Sequence, residues 1–303
     1  MIKKISQQAV TSQITNLSNI VISLTSTIIC GVAFGVRFDE EAHERRRFDE
    51  LIHETQQILS SFFVSDCFPS LSWIDKLTGM ANRLEKNFKY LDEFYEELIE
   101  QHHNPNRPKS MEGDIIDLLL QWKKEQSTQT NFTLDNIKAI LMNIFVAGTD
   151  TSAITVIWAM TALIKHPKVM KKVQAEIRES VGRKGIVNED DTQNMPYLKA
   201  VIKETFRLYP AAPVLVAGKR DYGKFDTRRG QDFKLIPFGA GRRGCPGMAL
   251  GAATVELILS NLLYAFDWEL PIGMKIEDID RDILRGITVH KKNDLCLVPK
   301  NYP

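Results

Sequence analysis

Apolar residues recur at helical spacing along most of this 303-residue chain, and proline, glycine and asparagine mark the intervals between the runs. The first run, residues 20–36, holds seventeen positions without a charge and stops at Arg37. It is barely long enough to cross a bilayer. Ser23, Thr25, Ser26, Thr27, Gly31 and Gly35 dilute it, so a buried helix of a soluble core is favoured over a membrane segment. A charged helix is expected over 38–61, where Glu40, Glu41 and Glu44 meet Arg45, Arg46 and Arg47 in a pattern typical of a solvated face. The loop 62–69 is rich in phenylalanine; it packs against its neighbours or lines an apolar ligand pocket. Residues 73–103 read as one long amphipathic helix, and His102–Lys109 as an exposed loop with two solvated histidines. A short helix over 114–126 offers Ile115, Ile116, Leu118, Leu119 and Leu120 as its buried face.

The next helix is expected to be central. Thr133 suits its N-cap, and apolar residues run from Ile137 to Ile164 before Pro167 ends the pattern. A helix of about 32 residues spans roughly 48 Å, and one that is apolar on all sides belongs inside a domain. Its middle carries Ala147-Gly148-Thr149-Asp150-Thr151-Ser152. An acid, three hydroxyls and a glycine in a buried helix are costly without partners or a task. Gly148 would let a flat ligand approach the backbone, and Asp150 with Thr151 makes an acid–alcohol pair suited to relaying protons. The bland alternative is a kink with satisfied hydroxyls. A surface helix is expected over 166–181, and another helix from Pro196 to Leu208. On the latter, Glu204 and Arg207 are three apart, hence within reach of each other. Val201, Ile202, Phe206 and Leu208 around them suggest a buried pair; the alternative is a surface pair worth less than about 1 kcal/mol.

The densest chemistry lies at Pro237-Phe238-Gly239-Ala240-Gly241-Arg242-Arg243-Gly244-Cys245-Pro246-Gly247. Four glycines let the backbone curl, and Pro246 fits the first position of a helix. Met248, Ala252, Val255, Leu259 and Leu262 then follow at helical spacing, placing Cys245 at a helix N-terminus. Free backbone donors and the helix dipole favour a thiolate there, with Arg243 two residues upstream ready for an anionic group. Such a loop suits a haem iron. The same residues spell GxGxxG after the strand-like 233–236, with Asp267 or Glu269 as a candidate downstream acid of a dinucleotide site. The helices before residue 233 and the short chain after Glu269 do not supply that fold's alternating strands. A glycine turn around an inert cysteine is the remaining reading.

Composition changes this picture little. With 44% hydrophobic and 25% charged residues, the chain is an ordinary globular one, and a formal charge of +1 gives no sign of nucleic-acid binding. Cys30, Cys67, Cys245 and Cys296 lack CxxC or disulfide-framework spacing, which points to a reducing compartment. No secretory leader is visible after Met1, and no internal repeat is found.

AGTDTS in a long central helix, then Glu-Thr-Phe-Arg, then Phe-Gly-Ala-Gly-Arg-Arg-Gly-Cys-Pro-Gly, resemble a cytochrome P-450 in that order. The stretches VIKETFRLYPAAPVLV and GQDFKLIPFGAGRRGCPGMALG are similar to plant A-type members, and the last motif matches the signature Phe-x-x-Gly-x-Arg-x-Cys-x-Gly at every fixed position. The resemblance implies a mainly α fold and haem b with Cys245 as axial thiolate, pushing electron density towards bound oxygen. It further implies Arg243 at a haem propionate, Phe238 near the sulfur, and Gly247 letting the next helix lie close to the porphyrin. Ala147 and Gly148 would flank the open haem face, Asp150 and Thr151 would manage protons, and Glu204 with Arg207 would form a structural pair. Substrate contacts would come from 62–69, the central helix, 212–215 and Gly286-Ile287-Thr288. The implied partners are O2, a small lipophilic substrate and an NADPH-dependent reductase at the endoplasmic reticulum membrane.

The chain departs from the family pattern at two places, giving a single truncated domain over 1–303. Met1 aligns with an internal family position, so the membrane anchor, the first helices and the Trp-x-x-x-Arg motif are expected to be missing, and a cytosolic or peripheral location becomes an alternative. A second gap follows Val216: Cys245 comes only 38 positions after Arg207, and 217–230 is an atypical junction in place of the strands and the Pro-Glu-Arg-Phe arginine. Arg228 or Arg229 would be substitutes. Loss of one member of a buried ion network costs about 3–5 kcal/mol. Two functions follow: a haem-thiolate monooxygenase acting on a small lipophilic plant metabolite, or a catalytically incompetent haem-binding or interaction protein. A membrane-embedded helical protein using 20–36 is a distant third.

Overall fold

A computed structural model describes residues 1–35, 43–125, 132–212, 236–284 and 286–302, without the side chains of 43–49, Ser110 and Arg243. The chain is mainly α: twelve helices among the described residues, with five short strands, one near the N-terminus and four near the C-terminal end. It divides into two compact units, one formed by Met1–Thr25 with Asp150–Pro303, the other by Ser26–Thr149.

The second unit holds part of α2 (Leu17–Phe34), then α3 (His43–Leu59), α4 (Val64–Cys67), α5 (Trp73–Leu77), α6 (Met80–His103), α7 (Ile115–Glu125) and the first half of α8 (Leu134–Lys165). Its core gathers Ile29, Phe34, Leu91, Phe94, Tyr95, Leu98, Ile116, Leu141 and Phe145. Phe34 stacks on Phe145 with ring centroids 5.9 Å apart and meets Phe94 edge-on at 6.4 Å. The hydroxyl-rich α2 buries Ile29, Cys30, Ala33 and Phe34. By length and composition alone, α2, α8 and α12 (Met248–Ala265) are each apolar enough to cross a membrane.

Two expectations fail here. The helix foreseen over 73–103 is broken: Thr78 closes α5, and Gly79 takes φ +79°, a left-handed turn that suits glycine, before α6 begins. His102 is not solvated. Its side chain is fully buried, with Nε2 2.7 Å from Asp114 Oδ2 and Nδ1 2.6 Å from the Leu98 carbonyl, while His103 alone is exposed. The loop thus folds back on α6 because Asp114, caps α7 by accepting from the Asp117 N–H at 3.0 Å, and holds the imidazole with its other oxygen.

The 62–69 segment contains α4 and stays open to solvent at Phe62 and Phe68. Phe63 and Ser65 line an apolar groove of about 460 Å³ together with Leu84 and Phe88.

Thr133 caps α8 as expected: its Oγ1 accepts from the Asn136 N–H at 3.4 Å, and Asn136 Oδ1 accepts from the Thr133 N–H at 2.9 Å. The helix runs 32 residues to Lys165, and from Ala153 to Thr161 every residue is buried. That half belongs to the first unit, with α1 (Ile2–Val10), α9 (Pro167–Val181), α10 (Glu189–Thr192), α11 (Pro196–Leu208) and α12. Prolines open α9 and α11 at their first positions. Three strands form an antiparallel sheet in the order β1 (Thr15–Asn16), β5 (Cys296–Asn301), β2 (Phe266–Glu269). A second pair joins β3 (Ile283–Leu284) to β4 (His290–Lys291). All the pairings are antiparallel. Asp267 and Glu269 therefore sit in a hairpin-like edge, paired with Lys300 and Val298, and not beside a dinucleotide crevice.

Candidate functional site

The glycine-rich loop reaches α12 as its sequence requires. Gly239 and Gly241 adopt φ +69° and +72°, and a single 3-10 turn spans Gly241–Arg243. The loop closes on itself: the Cys245 N–H donates to the Phe238 carbonyl at 2.8 Å, and the Gly244 N–H to the Gly241 carbonyl at 3.0 Å. Cys245 therefore stands at the mouth of α12 with its thiol exposed to solvent. The first turn of α12 beside it exposes Met248 and Leu250 (51% and 41% accessible), although both are apolar. Phe238 is held from below by the ring of Phe206 on α11, edge to face at 5.3 Å.

Two further glycines show what neighbours this loop. A methyl group on Gly251 would lie 3.8 Å from Ser152 Oγ and 3.9 Å from Phe238 Cε1, so α12, the loop and the hydroxyl-rich stretch of α8 meet there. One on Gly247 would come to 4.0 Å of the Cys245 sulfur, an ordinary contact, so this glycine lies beside the thiol.

The acid of the central helix is engaged. Asp150 is buried, and its Oδ2 accepts hydrogen bonds from Thr288 Oγ1 and from His290 Nε2, the latter at 2.9 Å. Thr151 is half-buried, and its carbonyl accepts from Thr155 Oγ1 at 2.9 Å. Within the other unit, Thr149 Oγ1 is buried with no hydrogen-bond partner among the described residues. Ala147 is exposed there. A methyl group on Gly148 would lie 2.7 Å from Ile29 Cδ1, the flexible end of a side chain on α2, so two helices also pack closely at this position.

Glu204 and Arg207 form a bidentate pair at 2.8 and 2.6 Å, as their spacing foretold, but the expected burial is absent: both side chains are more than half exposed. The helical period explains it. Leu198, Ile202 and Thr205 share the buried face of α11, and residues 204 and 207 fall on the opposite side. Arg207 holds the Glu204 carboxyl below its usual range. Arg228, Arg229 and the 217–230 junction lie outside the described residues, as do Pro213 to Leu215 of the foreseen substrate contacts. His290 was not singled out by sequence; a histidine in a two-residue strand has no periodic signature, and its partner is 140 positions away.

These residues fit a haem. An exposed cysteine, an exposed apolar helix turn and a glycine beside the sulfur together make a surface that a flat apolar group would cover.

Comparison with known proteins agrees. The model of the cytochrome P-450 family matches residues 1–221 and 219–298, two pieces that meet inside the atypical junction. The chain is 44% identical to 5-OH-xanthotoxin synthase of Ammi majus, over all of its own length and 68% of that protein's. It is 43% identical to 6,7,8-trihydroxycoumarin synthase of Pastinaca sativa with the same coverage, and 40% identical to cytochrome P-450 71A1 of Persea americana over 69% of that relative. The alignment to the first of these runs to 349 positions against 303 residues of chain, so the relative carries positions that this sequence lacks. With three motifs in family order, a family match over nearly every residue and relatives well above 30% identity, the chain belongs to the cytochrome P-450 family, the haem-thiolate monooxygenases, as a plant A-type member.

Proposed function

We propose that this protein is a haem-thiolate monooxygenase of plant secondary metabolism, inserting one oxygen atom from O2 into a small lipophilic metabolite of the coumarin class. The family membership supports the reaction type, and the names of the relatives from Ammi majus and Pastinaca sativa support the substrate class. The observation that carries it is the Cys245 thiol, exposed at the mouth of α12 in a loop closed by its own N–H.

Cys245 would hold the haem iron, Arg243 a propionate, and Phe238 and Gly247 would flank the sulfur. The haem, when bound, supplies oxygen activation with electrons from an NADPH-dependent reductase. The chain's own share is to hold the sulfur still, through the Cys245–Phe238 hydrogen bond, and to manage protons. Asp150, buried and doubly hydrogen-bonded, would keep a carboxylate near Thr151, whose hydroxyl would hand protons onward. Met248 and Leu250 would exclude water beside the thiol. Ala147 and Gly148 keep their place in this reading as small residues of α8. Association with the endoplasmic reticulum membrane accords with family membership and is tested by carbonate extraction.

The test is spectroscopic. Haem-loaded protein, reduced under CO, should show the red-shifted Soret band of thiolate ligation, and Cys245→Ala should abolish it. A histidine-like, blue-shifted CO band in the wild type would defeat the assignment. A second reading, a haem-binding or interaction protein without turnover, is favoured by one observation, the family match that breaks at 219–221. Coumarin-dependent NADPH consumption with a reductase, absent in Cys245→Ala, separates the two.

A further inference from the structure

We infer that Thr288 and His290 are positioning residues for Asp150, fixing one carboxylate oxygen so that the other is left to exchange protons; this rests on the reading of Asp150 as the proton-handling acid. A carboxylate at 6% side-chain exposure needs hydrogen-bond donors in place of the water it has lost. Among the described residues no lysine or arginine does so. The two donors are a hydroxyl and an imidazole, and both converge on Oδ2. Oδ1 has no such partner among the described residues.

The protons follow from the chemistry of the groups. An ionised carboxylate only accepts, so Thr288 Oγ1 donates, and His290 Nε2 must carry its proton to donate as well. The segment that brings these donors is itself fixed to the same helix. Trp158, two turns beyond Asp150 on α8, donates from Nε1 to the Val289 carbonyl at 2.9 Å. Three consecutive residues, 288 to 290, thus tie onto α8 at two levels, and the Val289 N–H donates to the Ala211 carbonyl at 2.9 Å. On β4, His290 faces Leu284 across the pair, and Lys291 faces Ile283. Of the nearby charges, Lys291 turns to Asp280 at 2.8 Å and Lys292 to Asp282 at 3.7 Å, so the charged group facing His290 is Asp150. Neither lysine competes for the acid.

The test uses the haem-loaded full chain with reductase, reading product formed per NADPH consumed and peroxide released. Thr288→Val and His290→Leu each remove a donor and should lower the coupling ratio roughly tenfold, the scale expected when a working group loses its orientation. Thr288→Ser and His290→Gln keep a donor and should restore most of it. A readout free of turnover comes from 15N NMR of the full chain without haem: the His290 ring should be protonated at Nε2, and Asp150→Ala should lose that preference. A His290 ring with its lone pair at Nε2, or unchanged coupling in both Thr288→Val and His290→Leu while Asp150→Asn uncouples, overturns this inference alone. Undiminished coupling in Asp150→Asn removes the acid reading and this role with it.

Discussion

A methyl group added at Gly148 would approach Ile29 Cδ1 to 2.7 Å and Cγ1 to 3.1 Å, and Ile29 is itself 6% exposed. Two opposing terms set the outcome of Gly148→Ala. Alanine gains up to about 1 kcal/mol over glycine in a helix interior, and overpacking a closed site costs about 1–3 kcal/mol. Since the isoleucine tip has little room to move, the clash should win, with a net loss of about 1 kcal/mol. In an Ile29→Ala background the same change should become stabilising by about 1 kcal/mol, because only the propensity term survives. Denaturant midpoints of the four proteins of this cycle check the sign reversal; Gly148→Ala that stabilises the wild-type chain would show that the site has slack. The sequence marked 148 as a place of close approach, but not of what: a bare helical position reads alike whether a ligand or another helix comes close. Cys245 was more legible, because glycine, cysteine and proline at fixed spacing leave few backbone paths.

At the scale of elements, the connection from α6 to α7 carries a titrating device. Both ring nitrogens of His102 face acceptors, the Leu98 carbonyl and the Asp114 carboxylate, so both bonds exist only in the imidazolium. Burial alone would lower its pKa, but the bonds to Asp114 and Leu98 outweigh it and the net shift is upward. The sign follows: a raised folded-state value contributes stability that is complete below about 6.5, the ordinary value, and is lost as pH rises through the folded one. The melting temperature should therefore fall as pH climbs from neutrality into the alkaline range, and His102→Gln should flatten that slope. A wild-type slope unchanged by the substitution would remove the histidine from the account. On α11 the electrostatics are weaker. The exposed Glu204–Arg207 pair is screened by solvent, so Arg207→Met should move the denaturant midpoint little, and less still in high salt. Helix ends marked by Thr133, Pro167 and Pro196 were readable because each fixes a local geometry. The inward turn of His102 and the outward turn of Glu204 were not, since which face meets the core depends on neighbours distant in sequence.

For the whole molecule, the break in the family match bears most on competence. A group that binds only the folded chain stabilises it by mass action, about 2.7 kcal/mol when free ligand is a hundred times its Kd. If the residues around Cys245 suffice to retain haem, reconstitution should raise the melting temperature of the wild type by several degrees and leave Cys245→Ala unmoved, because the sulfur is the attachment that the substitution removes. The family pieces meet at residues 219–221, and an alignment of 349 positions against 303 residues shows that a relative carries chain which this protein lacks. Grafting the relative's intervening segment at that point should then increase haem retention if the segment supports the cysteine loop, and should raise turnover of the proposed coumarin in proportion. A graft that leaves retention unchanged, in a chain that already binds haem and turns over, would show that Phe206 behind Phe238 and the loop's own hydrogen bonds are support enough. Retention without turnover, in the graft as in the parent, would favour the interaction-protein reading, since the loop would then hold its group while the proton-handling side of α8 stayed idle.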